Sequence, residues 1–204
     1  MINHRHKICF IHIPRTGGTV IQDFFGHKIK QPHYDEKERE IDHYRLKDYE
    51  ELSEFDNSYF KFCFTRNVWC KLVSVFFFKK YGTNKWKPDT RIVDCRNLSF
   101  REFVLILQNI DLSTLSHFNC SHLLPQVEYI NSNKTNIDFI GRFDNFQSDF
   151  NYICDQIGIP RTKIYKNNST NHKLYTEYYD DDTKDIVAKL YSADIKYFNF
   201  KFGD

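Results

Sequence analysis

Residues 7–13 read Lys-Ile-Cys-Phe-Ile-His-Ile and stop at Pro14. A run this short and apolar, polar only at its ends and at His12, suits a β-strand buried on both faces. Arg15-Thr16-Gly17-Gly18-Thr19 follows at once, and residues 19–26 have helical character. The first 26 residues thus commit the chain to strand, tight turn and helix. The pattern recurs. Residues 59–65 (YFKFCFT) give a second buried strand, followed by a helix over 68–80 with Val68, Leu72, Val75, Phe76 and Lys79 on one face. Residues 137–141 (IDFIG) give a third. Asp144 or Asn145 then caps a helix that runs to about Ile157 and closes at Gly158 and Pro160. Ser99 with Glu102 three residues on is a capping box opening a helix over 99–110. A last helix starts near Asp181–Thr183, with Ile186, Val187, Leu190 and Tyr191 on one face. Strand–helix alternation of this kind predicts an α/β fold with a central, mainly parallel sheet flanked by helices.

No repeat and no Pro/Gly/Ser-rich linker divides the chain, so residues 1–204 are read as a single domain. With 41% apolar and 17% aromatic residues, disorder is excluded. The formal net charge of +2 excludes a general nucleic-acid binder, so any anion affinity must be local. No run approaches the roughly 18 apolar residues of a membrane span. Ile8–Ile13 is too short for the apolar region of a secretion signal and lacks a small-residue cleavage site. A cytoplasmic location is therefore expected. The six cysteines (Cys9, Cys63, Cys70, Cys95, Cys120 and Cys154) form no Cys-x-x-Cys pair and no zinc spacing. They read as reduced thiols, with Cys9 and Cys63 as small buried hydrophobes. Residues 28–57 and 82–98 are polar and irregular and read as surface excursions. Together with residues 111–122 they are expected to shape the acceptor pocket.

The turn after the first strand carries the first chemistry. Two of the seven glycines in the chain are adjacent at 17 and 18. Glycine admits positive φ and lets backbone N–H groups approach an anion closely. Thr16 and Thr19 add hydroxyls, Arg15 adds a fixed charge, and a helix N-terminus follows. An ordinary capped turn explains the glycines and threonines but leaves Arg15 unexplained. The loop is not a Walker loop, because Thr19 stands where that pattern needs Lys. Phosphate or sulfate binding without a dedicated metal ligand is what this loop suits.

The second candidate site is Arg66, at the end of strand 59–65, with Ser74 eight residues on and Lys71 one turn before it. The carboxyl edge of an open α/β sheet is where ligands bind, and Arg with Ser can fork onto a phosphate. Singly, each also reads as a solvated surface residue.

Together these segments resemble the two cofactor signatures of sulfotransferases that use 3′-phosphoadenosine 5′-phosphosulfate (PAPS). The likeness is to the carbohydrate group that includes heparan sulfate 2-O- and 6-O-sulfotransferases and their small bacterial relatives. There the first loop reads His-Ile-Pro-Lys-Thr-Gly-Gly-Thr and the second Arg-Asn-Pro-x-x-Arg-x-x-Ser-x-Tyr. The resemblance implies that Arg15, Thr16, Gly17, Gly18 and Thr19 hold the 5′-phosphosulfate, and that Arg66 and Ser74 hold the 3′-phosphate. It also implies a P-loop-like, three-layer fold. His122 to Ile130, Asp138 to Asn145, Tyr178-Tyr179-Asp180 and Asp194 to Phe202 resemble later parts of the family in the same order. Four positions depart from the pattern. Arg15 replaces Lys, Val68 replaces Pro, Lys71 replaces Arg and Phe76 replaces Tyr. Arg15 keeps the charge but cannot give up a proton.

Sulfuryl transfer to a hydroxyl needs a base, and histidine suits it with an ordinary pKa of about 6.5. Nine histidines are present. His4 and His6 precede the first strand, in a segment read as frayed, and His12 packs in the sheet. His27, His33, His117, His122 and His172 remain open. The family places its catalytic His between the first helix and the second strand, which selects His43 in Ile41-Asp42-His43-Tyr44-Arg45. Asp42 does not orient it, since adjacent side chains diverge. Glu36, Glu38 and Glu40 are the alternative bases. In residues 166–175 a loop that covers the nucleotide in the family would supply Lys173 and Ser169.

The reading is a PAPS-dependent sulfotransferase acting without a metal on a hydroxyl of a carbohydrate acceptor and releasing adenosine 3′,5′-bisphosphate (PAP). A P-loop nucleotide kinase, or a non-catalytic nucleotide- or glycan-binding protein, are the alternatives.

Overall fold

A computed structural model describes residues 1–27, 35–36, 40–83, 87–112, 121–165 and 172–204. In chain order the elements are strands β1 (Ile2–Asn3) and β2 (Ile8–Ile11), helices α1 (Gly18–Phe24) and α2 (Leu46–Tyr49), strand β3 (Phe60–Thr65), helices α3 (Val68–Tyr81), α4 (Phe100–Leu107) and α5 (Val127–Ile130), strand β4 (Phe139–Arg142), and helices α6 (Phe146–Gln156), α7 (Asp181–Leu190) and α8 (Ser192–Phe198). Single 3₁₀ turns lie at Ile41–His43, Phe143–Asn145 and Tyr175–Tyr178. The chain forms two compact units, Met1–Arg66 with Gln126–Asn167, and Asn67–Pro125 with Asn168–Asp204.

The first unit is built on a four-stranded sheet ordered β1-β2-β3-β4. β2, β3 and β4 are parallel and β1 is antiparallel to β2. The mainly parallel α/β sheet expected from the alternation is present. Every residue of β2 is buried, as are Lys61 to Thr65 of β3. Alternation sorts their side chains. Ile8 and Phe10 of β2 and Phe62 and Phe64 of β3 share one core with Val20 and Ile21 of α1 and Phe146, Phe150 and Ile153 of α6. Apolar burial on this scale, at about 25 cal/mol per Å², dominates the stability of such a unit.

Register sets the position of the site. Ile11 pairs with Cys63, and Thr65 pairs with Arg142. The segments leaving β2, β3 and β4 therefore emerge at one carboxyl edge, bringing His12 to Gly17, Arg66 and Phe143 together.

Two sequence expectations are corrected in this unit. β1 pairs Ile2 with Cys9, so the segment before the first long strand is part of the sheet and not a frayed end. Residues 40–49 are not a solvated excursion: Glu40, Asp42, His43, Tyr44, Leu46, Asp48 and Tyr49 are buried. Polar composition there reflects internal pairing, since Arg45 Nε donates to Asp48 Oδ2 at 2.9 Å and Tyr44 Oη donates to Asp35 Oδ2 at 2.7 Å.

The second unit is helical. α3 is buried almost all round, and its N-cap, Asn67, accepts from the Trp69 N–H at 3.1 Å. Ser99 and Glu102 form the expected capping box on α4, and Asp180 with Thr183 forms another on α7. The Lys71 ammonium is enclosed and donates to the carbonyls of His122 at 3.1 Å and Leu124 at 3.2 Å. Lys79 is also buried, donating to the Arg91 carbonyl at 2.7 Å and pairing with Asp89 at 3.4 Å. Lys79 sits on the face that the spacing picked out and Lys71 outside it, and both satisfy their ammonium internally.

Candidate active site

The turn between β2 and α1 has the backbone expected of an anion loop. Arg15 has φ 64° and Gly17 has φ 89°. A residue with a β-carbon is uncommon in that region, so Arg15 is held there against a local cost. Successive turns of this kind direct N–H groups inward, and the first N–H groups of a helix lack partners within it. Gly18 is required by packing. A β-carbon there would lie 1.9 Å from Cδ2 of the His12 ring. At Gly17 it would meet the Phe146 ring at 2.8 Å. Thr16 differs from the sequence reading in one respect. Its hydroxyl donates to the Ile13 carbonyl at 2.8 Å and the residue is buried, so it stitches the turn together.

Arg66 stands beside this loop. Its Nη1 donates to the Arg15 carbonyl at 3.2 Å, and its guanidinium carbon lies 4.2 Å from the centroid of the Phe143 ring. Burial, then the neighbouring Arg66 charge, lowers the Arg15 pKa to about 10. Arg15 still carries its charge at neutral pH, with the Arg66 guanidinium close enough to oppose it. An anion of charge −2 or more relieves that repulsion. The main chain of Arg66 is held as well. The Gln126 side chain accepts from the Arg66 N–H at 2.9 Å and donates to the Arg66 carbonyl at 2.8 Å.

His43 is brought to the same edge by the buried turn at residues 41–43. Its Nδ1 is 3.0 Å from the His12 carbonyl. A carbonyl only accepts, so Nδ1 carries a hydrogen, which leaves Nε2 as the nitrogen able to offer a lone pair. Nε2 lies 3.9 Å from Oε1 of buried Glu40. The His12 and His43 rings are 4.4 Å apart, centroid to centroid. Burial, then the neighbouring His43, holds the His12 pKa well below its ordinary value, so His12 is neutral. Asp42 faces His27 at 3.5 Å, not His43.

Arg15, Thr16, Gly17, Gly18, Thr19, Arg66 and His43 thus belong to one unit. Ser74 and Lys173 belong to the other: Ser74 is buried on α3, and Lys173 is exposed and pairs with Glu177 at 3.7 Å. Of the alternative bases, Glu40 adjoins His43 and Glu36 is exposed. Glu38, His33, His117, Ser169 and Cys120 lie outside the described residues. Gln126 and Phe143 were not singled out from the sequence as site residues. Their roles arise from contacts across the fold, and no local spacing signals them. Among the described residues no group of His, Cys, Asp and Glu is arranged to hold a metal ion.

A mainly parallel sheet thus carries a glycine loop, two arginines and a histidine at its carboxyl edge. The chain belongs to the sulfotransferase family, whose family model (Sulfotransfer_2) matches residues 1–201. It is 22% identical to human carbohydrate sulfotransferase 9 over 240 aligned positions, covering 98% of this chain and 52% of that one. It is 22% identical to zebrafish (Danio rerio) carbohydrate sulfotransferase 14, covering 87% and 53%. The chain spans about half the length of both. An uncharacterized protein of Archaeoglobus fulgidus is 30% identical over 105 residues, 51% of this chain and 72% of that protein. No solved structure matches the chain.

Proposed function

We propose that this chain transfers a sulfuryl group from PAPS to a hydroxyl of an acceptor, a carbohydrate. The observation that carries the reading is the juxtaposition of Arg66 with the positive-φ loop that holds Arg15, at the edge to which His43 is tethered. The residues fit the donor. Two guanidinium groups match the phosphates of a bisphosphorylated nucleotide, with the N–H groups of residues 16–19 at its 5′ end and Arg66 at its 3′ end. Ser74 and Lys173 are assigned to the same nucleotide by family resemblance. The carbohydrate sulfotransferase relatives support a sugar acceptor. The five free cysteines described support a reducing, cytoplasmic compartment.

Bound PAPS would supply a sulfuryl group on a phosphate leaving group. This chain's own work is then threefold. Arg15 and the loop N–H groups stabilise charge growing on the departing 5′-phosphate. His43 Nε2 takes the acceptor hydroxyl proton. The imidazolium so formed keeps its Nδ1–H on the His12 carbonyl, and Glu40 offsets its charge. No metal enters this scheme. The test is transfer of label from ³⁵S-PAPS to a panel of neutral and uronate-containing glycans, with and without EDTA. Label on a glycan in both conditions supports the reading. A demand for magnesium, or PAP binding with no transfer to any acceptor, overturns it.

A further inference from the structure

The sheet ladder ends one residue before Arg66, at the Thr65–Arg142 pair. The helix that follows starts at Val68, capped by Asn67. Arg66 therefore belongs to no regular element, yet it is buried. A buried main-chain N–H and C=O outside any ladder must find partners or carry a desolvation cost. Gln126, sixty residues on and with no exposed surface, supplies both from one side chain. A primary amide presents a donor and an acceptor in one plane, as a neighbouring strand would. Glu could accept but not donate, Met could do neither, and Asn is one methylene too short to reach.

We propose that Gln126 is a positioning residue that acts as a one-residue strand. It fixes the main chain of Arg66 so that the guanidinium stacks on Phe143 and reaches the loop at Arg15. The stacking and the hydrogen bond to the Arg15 carbonyl fix the far end of the side chain. Gln126 fixes the near end. With both ends held, the guanidinium selects a phosphate at one distance from the loop, and discrimination for a 3′-phosphate depends on Gln126. This inference rests on the nucleotide reading given above.

Calorimetric affinities for PAP and for adenosine 5′-monophosphate, which lacks the 3′-phosphate, test it. The proteins compared are the parent, Gln126→Met, Arg66→Ala and the double variant, with melting temperature recorded for each. A charge-assisted phosphate contact is worth roughly ten- to a hundredfold in affinity, so the parent should prefer PAP by about that factor. Gln126→Met should lose most of this preference while its affinity for the monophosphate changes little. The double variant should show no smaller preference than Arg66→Ala alone. General loosening would weaken both nucleotides together and leave their ratio intact. A Gln126→Met protein with the parent's ratio, or additive losses in the double variant, overturns the role of Gln126 while leaving Arg66 in place. A parent without preference overturns the nucleotide reading, and this inference with it. Should Gln126→Met not fold, Gln126→Glu, which keeps the bond from the Arg66 N–H, is measured in its place against the same outcomes.

Discussion

Replacing His43 by Ala removes one lone pair and leaves the phosphate-facing groups in place. Turnover should fall by about 10²–10⁴, the usual share of a general base, while PAP affinity changes little. The acidic limb of the pH–rate profile should vanish in the variant, because the base must be unprotonated to act. Near-normal turnover, or a parallel loss of PAP binding, would move the role to Glu40, whose carboxylate lies 3.9 Å from the same nitrogen. His12 makes a prediction of a different kind. Its pKa is depressed in the folded protein by burial and by His43. The unfolded chain takes up this proton as pH drops below about 6.5, and the native protein does not. Protonation therefore favours unfolding. The His12 share of stability is full above about pH 6.5 and is lost progressively below it. Urea midpoints between pH 7.5 and 5.5 should decline, and His12→Phe should flatten part of that slope. Residue-scale chemistry was partly legible. Arg15, Gly17, Gly18 and Arg66 stood out because glycine pairs and strand-end arginines have mechanical meaning. Gln126 did not, because a contact across sixty residues leaves no local trace.

Among the elements, β2, β3 and β4 were legible as apolar runs and α4 as a capping box, since each is decided by neighbours in sequence. The helix over Val68–Tyr81 was found from spacing, although burial of Lys71 shows that its face is wider than periodicity implied. β1 is two residues long and could not be read. The turn at residues 41–43 was missed as a buried element because its side chains are polar and pair inside. The capping box gives a clean control. Ser99 accepts from the Glu102 N–H at 3.2 Å on an exposed helix end. Ser99→Ala should cost about 1 kcal/mol and lower Tm by about 2–4 °C. PAP affinity should be unchanged, as calorimetry on the same protein would show. A large loss of PAP affinity would mean that α4 bears on the nucleotide.

For the whole molecule, the nucleotide reading predicts linkage between ligand and fold. A ligand that binds only the native state at a hundred times its Kd adds about 2.7 kcal/mol. For a chain of this length that raises Tm by about 5–10 °C. Differential scanning fluorimetry with millimolar PAP and excess EDTA should show the shift. Its absence would remove the cofactor assignment. Adenosine should give none, because it lacks the phosphates that this reading gives to the arginine pair and the loop N–H groups.

The imidazole of His12 fills the volume where a side chain at position 18 would start. The two positions are therefore one unit of inheritance. An alanine cannot appear at 18 while an imidazole stands at 12, and a smaller residue at 12 would leave a void that glycine cannot fill. Change at this edge of the sheet must come in pairs, so a relative that has lost the glycine should have lost the histidine with it, and with that ring the neighbour that His43 leans on.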